Sequence, residues 1–167
     1  MYNETRGLIN STGSQITLEK RSMDKKTHKL GLRVLEEVLL HRAIIGMYFS
    51  GSNLWFNEPG SPAVEDGYLR IENGWALLRS GKPRDYEPSD VQTDYRELAT
   101  VAARLADVRV QSIHLGTYHG HLWLTFESGD TLFVNGRDET YESWELSYGD
   151  YMVVALAGGD LAVWLPS

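Results

Sequence analysis

The stretch HLGTYHGH, residues 114–121, gathers three of the chain's five histidines around a tyrosine, Tyr118. Imidazoles titrate near neutral pH, move protons and ligate metals, so chemistry is sought here first. With His119-Gly120 as a two-residue turn, Tyr118 stands opposite His121, Gly116 opposite Trp123 and His114 opposite Thr125. His114 is then nearer Thr125 than His121, so the three imidazoles do not converge on one ion, and a fourth ligand is lacking. No metal and no cofactor is expected. Glu145 is a second candidate: it lies on the opposite face from its neighbours Trp144 and Leu146, beside Val154, where burial could raise a carboxyl pKa. The chain has no G-x-S-x-G elbow, no H-E-x-x-H pair and no Gly-rich strand-to-helix loop; FSGSNLW leads into a strand, so it is no anion cradle. No catalytic residue is assigned.

The elements that must position these groups follow from periodicity. Leu32, Leu35, Val38 and Leu39 recur at helical spacing and predict a helix ending near His41. Ser89 with Gln92 three residues on resembles a capping box opening a second helix, whose buried stripe is Tyr95, Leu98, Val101, Ala102 and Leu105. AIIGMYFSGSNLWFNE predicts a hairpin, followed by strands in YLRIEN and WALLRS. From Val108 onward strands fall in VRVQSIHLGTY, HLWLTFES, TLFVNG, WELSY, YMVVALA and LAVWLP, separated by glycine turns. The fold class is therefore α+β, mainly an antiparallel β meander with two amphipathic helices.

A weak internal repeat is visible. Ile45, Leu54 and Trp55 match Ile113, Leu122 and Trp123 at an offset of 68; Trp75 and Leu77 match Trp144 and Leu146 at 69; Leu69 and Ile71 match Leu132 and Val134 at 63. The expected organisation is a flexible N-terminal extension over 1–26 and a single domain over 27–167. Within it, repeat one covers about 27–80, a linker 81–89, and repeat two about 90–167, the two sharing one core.

Alternation assigns faces to the other hairpins. Around Gly51-Ser52, Ile45, Met47, Phe49, Leu54 and Phe56 share one face, and Tyr48, Asn53, Trp55 and Asn57 the other. Around Gly158-Gly159, Met152, Val154, Leu156, Leu161 and Val163 form the aliphatic face, with Val153, Ala155, Ala162 and Trp164 opposite. Trp144 and Leu146 fall opposite Ala155 and Val153, so Trp144 and Trp164 are expected to fill space over alanines. The expected binding surface is Tyr48, Trp55, His114, Tyr118, His121 and Trp123.

The net charge of −7 is uneven: residues 1–29 hold six Lys/Arg against three Asp/Glu, and the remainder ten basic against twenty acidic side chains. An acidic body repels nucleic-acid phosphates and favours a basic protein partner. With no cysteine there is no disulfide framework or thiolate chemistry. No apolar run is long enough for a membrane span, and the first residues lack a secretory pattern, so a cytoplasmic protein is expected.

LWLTFESGDTLFV, YESWELS and VVALAGGDLAVW together resemble an uncharacterised bacterial domain-of-unknown-function family of small duplicated β-rich proteins. The resemblance is best over 108–164, looser over 32–78, and leaves out 1–27. It implies a fold and no catalytic residues, and it places the chain near the immunity-like accessory proteins of bacterial conflict systems. The expected function is non-catalytic protein binding, as an acidic immunity or inhibitor protein masking a basic partner. The alternatives are an oligomerising scaffold, for which a homodimer suffices, and a small hydrolase or ligand-binding enzyme using the His114/His121 face.

Overall fold

A computed structural model describes residues 23–48, 51–62, 67–80 and 87–167, together with the backbone of two short paired strands, β1 (Leu8–Ile9) and β2 (Gln15–Ile16). The rest of the expected N-terminal extension, Phe49 and most of the 81–89 linker lie outside the described residues. Two helices and ten antiparallel strands form the body. The first helix, α1 (Lys25–Leu39), starts two residues inside the stretch expected as an extension, because Asp24 caps it by accepting from the Thr27 N–H at 2.8 Å. Met23 before it is buried, and its N–H donates to the Thr117 carbonyl at 3.0 Å.

Then come β3 (Ala43–Tyr48), β4 (Asn53–Asn57), β5 (Gly67–Ile71) and β6 (Trp75–Leu78). After α2 (Tyr95–Arg104) follow β7 (Val110–Leu115), β8 (Leu122–Phe126), β9 (Thr131–Val134), β10 (Trp144–Tyr148), β11 (Tyr151–Ala155) and β12 (Leu161–Trp164). One sheet has the order β12-β11-β10-β5-β4-β3 and the other β6-β9-β8-β7. The chain is therefore not a simple meander. It leaves the six-stranded sheet between β5 and β6, and returns to it between β9 and β10. The exchange is reciprocal: β6 pairs with β9 through Trp75↔Val134 and Leu77↔Leu132, and β10 with β5 through Trp144↔Ile71 and Leu146↔Leu69. The sheets also meet where Ala43 bridges Arg109.

The core lies between the sheets and under α1. Leu54, Leu69, Leu146 and Val153 of one sheet and Leu122, Leu124, Leu132 and Val134 of the other are buried, joined by Val34, Leu35, Val38 and Leu39 of α1. Burying a Leu or Val side chain contributes roughly 1.5–3 kcal/mol, so this cluster is the main stabilising term against chain entropy. The core glycine Gly31 lets α1 approach β12; a Cβ there would stand 3.1 Å from Leu161 Cδ1. No helix among the described residues is long and apolar enough to cross a membrane.

Several expected details are corrected. The second helix is capped by Asp94, not Ser89, because Gln92 is held in a bridge with Trp75, its N–H donating to the Trp75 carbonyl at 2.7 Å. Tyr95, at the first helical position, is exposed instead of buried. In the first hairpin Tyr48 pairs with Asn53, and a bulge between Ile44 and Gly46 turns Ile44, not Ile45, into the core. Leu115 pairs with Leu122 and His114 with Trp123, so His119-Gly120 is not a two-residue turn; residues 116–121 form a longer loop. The largest change is at the C-terminus. Ala155 pairs with Leu161 across a five-residue connection, one step out of the expected register. A one-residue slip flips every side chain, so Val153, Ala155, Leu161 and Val163 face inward and Trp164 outward.

Candidate binding site

Each sheet turns one face away from the shared core, and the two outer faces are finished differently. On the four-stranded sheet the outward row Trp123–Phe133–Ala76 lies beside the inward row Leu124–Leu132–Leu77. Trp123 is only 1% exposed, and Phe133 and Ala76 are buried with it, packed by Leu78 and Val91. Residues 87–92 cover this row: Gln92 bridges Trp75, Val91 packs on the cluster, and Glu87 accepts from Asn135 Nδ2 at 3.4 Å.

The histidines belong to this covered side. The His114 ring centroid is 5.2 Å from that of Trp123, and the His121 centroid is 5.7 Å from Trp123 and 5.3 Å from Phe133. His121 is 6% exposed, and its Nδ1 accepts from the Gly136 N–H at 3.1 Å, which leaves the proton of the neutral ring on Nε2. Burial, then the charges of His119 and Arg137, lower its pKa to about 4, so it is neutral at pH 7. The loop is wedged in place. A Cβ on Gly136 would stand 2.1 Å from the Gly120 carbonyl, and Trp144 Nε1 donates to that carbonyl at 2.6 Å. These contacts are those of a packed hairpin end.

The outer face of the six-stranded sheet presents two rows. One runs Trp55–Tyr68–Ser147–Met152–Trp164 and the other Asn53–Arg70–Glu145–Val154–Ala162. Tyr48 stacks on Trp55 with planes 7° apart and centroids at 6.3 Å, and is 52% exposed. Trp164, at the far edge, is 47% exposed. Between them Glu145 accepts from the Tyr68 hydroxyl at 2.8 Å and from Arg70 Nη2, while Arg70 Nε sits 3.0 Å from Glu72 Oε1. Burial, then the hydrogen bond to Glu145, raises the Tyr68 pKa, so the phenol keeps its proton. The network ties an arginine and a tyrosine to one carboxylate on this face.

Arg70 also borders a cleft of about 580 Å³ lined by Glu72, Asp138, Thr140, Tyr141 and Glu142. Backbone N–H groups of Thr140 and Tyr141 donate to Asp138 and lower its pKa, keeping it charged. Three carboxylates against one guanidinium give the cleft a negative balance, and the exposed Tyr141 ring offers a face to a cation.

Of the six residues expected to form the binding surface, the structure brings Tyr48 and Trp55 together on the open face. It brings His114, His121 and Trp123 together on the covered one. Tyr118 is exposed but separate, lining a cleft of about 270 Å³ with Met23, Lys25, His28 and Thr117. Alternation in GYLRI puts Tyr68 and Arg70 on one face, but nothing in that pattern marks them for binding. Their meeting with Glu145 depends on β5 pairing with β10, which follows from no local pattern.

No curated protein and no solved structure matches the chain. Residues 47–165, from the end of β3 to just beyond β12, match a family of unknown function, and the chain belongs to that family, DUF6188.

Proposed function

We propose that the protein is a non-catalytic protein-binding protein that holds a basic partner against the outer face of its six-stranded sheet. The observation that carries this is the cluster of rings and guanidinium on that face, with Tyr48 and Trp164 exposed and Trp55, Tyr68 and Arg70 half-buried between them. Trp, Tyr and Arg are the residue types in which interface energy concentrates, because each buries large area with few rotamers to lose. The adjoining cleft of Glu72, Asp138 and Glu142 favours a lysine or arginine of the partner. The acidic balance of residues 30–167 steers the same class of partner from a distance.

An immunity or inhibitor role, masking a basic protein in a bacterial cytoplasm, is the setting this reading fits. The chain is also read as an internal duplication, each copy a helix followed by about four strands, with the second copy continuing into the closing strands β11 and β12. The reciprocal pairing of β6 with β9 and β10 with β5 supports this. Under that reading duplication supplied two outer faces, of which one was covered and one kept for binding. Exposed Trp164, the last residue of the edge strand β12, and Leu165 just beyond it favour a second reading, in which the face joins two copies of this chain.

The test is affinity capture from host lysate with wild type, Trp55→Ala and Glu72→Gln/Glu142→Gln, alongside sedimentation of the protein alone. A basic partner retained by wild type and lost by both variants is the expected result. A sedimenting dimer dispersed by Trp164→Ser, with no basic partner captured, would support self-association instead.

A further inference from the structure

A groove of about 500 Å³ runs between β6 and α2, away from the outer sheet face just described. Its floor is Trp75, Leu77 and Arg79, alternate positions of β6 and its continuation. The helix wall presents Glu97, Val101 and Arg104, spaced three and four apart on one side of α2. Asp90 and Gln92 close the other side.

The groove has a direction. Gln92 bridges Trp75 and lies two residues before the α2 cap Asp94, so the helix begins beside Trp75. At the other end Arg104 Nε and Nη2 each reach Asp130 Oδ2 at 3.0 Å. Asp130 precedes Thr131, the partner of Leu78, so the helix ends beside Arg79. Glu97 therefore lies near Trp75, and Asp90 stands opposite Leu77 because the Trp75–Gln92 bridge is antiparallel. Two guanidinium groups stand at the far end, that of Arg104 paired with Asp130. Arg79 has no ion-pair partner among the described residues.

A second observation points to a ligand. Trp75 is 4% exposed, and its indole Nε1 is buried with no hydrogen-bond partner among the described residues. A buried donor left unpaired is costly. Trp144, which pairs with Ile71 as Trp75 pairs with Val134, has its own Nε1 satisfied by the Gly120 carbonyl at 2.6 Å. Of these two equivalent tryptophans only Trp75 lacks an acceptor; Trp123 Nε1 is also unpartnered, but it is closed inside the Phe133–Ala76 cluster, whereas Trp75 lines the groove.

We propose that this groove binds a short apolar peptide with both termini free, of about three residues. Its ammonium group lies at Glu97, its first carbonyl accepts from Trp75 Nε1, and its side chains rest on Leu77 and Val101. Its carboxylate lies at Arg79 and Arg104. The length agrees: Glu97 and Arg104 are about 10 Å apart along the helix axis at 1.5 Å per residue, and three extended residues span about 10 Å.

The test is calorimetric titration of the full chain with the tripeptide Ala-Leu-Ala and with its N-acetylated and C-amidated forms. Expected is saturable one-to-one binding with Kd at or below about 1 mM. Capping either terminus, Arg79→Gln or Glu97→Gln should each weaken it by about tenfold or more, with the melting temperature unchanged, while Trp55→Ala leaves it intact. Absence of saturation at about ten times that concentration would overturn the proposal. So would equal affinity for the capped peptides, or for Arg79→Gln.

Discussion

The outer faces of the two sheets are built on matching rows of positions, yet the described part of one is apolar and buried while the other is polar at its centre and keeps exposed rings at both ends. Beside the inward leucines Leu124, Leu132 and Leu77 stand Trp123, Phe133 and Ala76; beside Leu54, Leu69 and Leu146 stand Asn53, Arg70 and Glu145. The first set is apolar and the chain lays residues 87–92 across it. The second set is an ion pair with a hydrogen-bonded tyrosine alongside, and aromatic rings remain exposed at both ends of its face. An aromatic ring on a strand thus says little about binding until its cover is known. Trp123 is core and Trp55 is half-buried beneath Tyr48, although both sit in hairpins of similar composition.

That contrast can be broken experimentally, and the covered face should respond most. Phe133→Ala or Trp123→Ala removes a fully buried ring and should cost about 3–5 kcal/mol, read as a lower urea midpoint with unchanged slope. The next effect is set by pH. The His121 pKa of about 4 in the fold lies below the ordinary 6.5, so the unfolded chain takes up the proton first. The stability this histidine contributes is complete above about pH 6.5 and is lost as pH falls toward 4, by about 2–3 kcal/mol. His121→Asn, which keeps an acceptor for the Gly136 N–H, should flatten that part of the stability–pH curve.

On the open face the effects on stability shrink. Glu145→Gln loses the charge facing Arg70 and Tyr68 and should cost about 1–2 kcal/mol, while the Tyr68 phenol titrates closer to its ordinary value. Trp164→Ser should change stability by no more than about 0.5 kcal/mol, since the ring is half exposed at a sheet edge. A loss as large as that of Trp123→Ala would mean that the second face is also core.

Much of the architecture was legible locally. Ten strand segments, two helices and the inward leucine rows follow from alternation and helical spacing, and the Trp144↔Ala155 register was expected as found. What failed were features decided by one residue or by distant pairing. The three-residue turn Ala157–Gly159, with both glycines at positive φ, shifts β12 by one step and turns Trp164 outward. The bulge after Ile44 does the same on a smaller scale. The Ser89 cap was outcompeted because Gln92 finds backbone partners on β6. The candidate site was half visible. Tyr48 and Trp55 were named from their hairpin, whereas Tyr68, Arg70 and the Glu145 partnership require β5 and β10 to lie side by side.

The most direct measurement compares partner binding and unfolding for two variants, Trp55→Ala on the open face and Phe133→Leu on the covered one, at low and at about 1 M salt. The account predicts that Trp55→Ala unfolds like wild type but binds its basic partner at least about tenfold more weakly. Phe133→Leu should be less stable yet bind normally while folded. Wild-type binding should fade at high salt, where the screening length is only about 3 Å. Unaltered, salt-insensitive binding by Trp55→Ala would contradict it and remove the six-stranded sheet's outer face as the recognition surface.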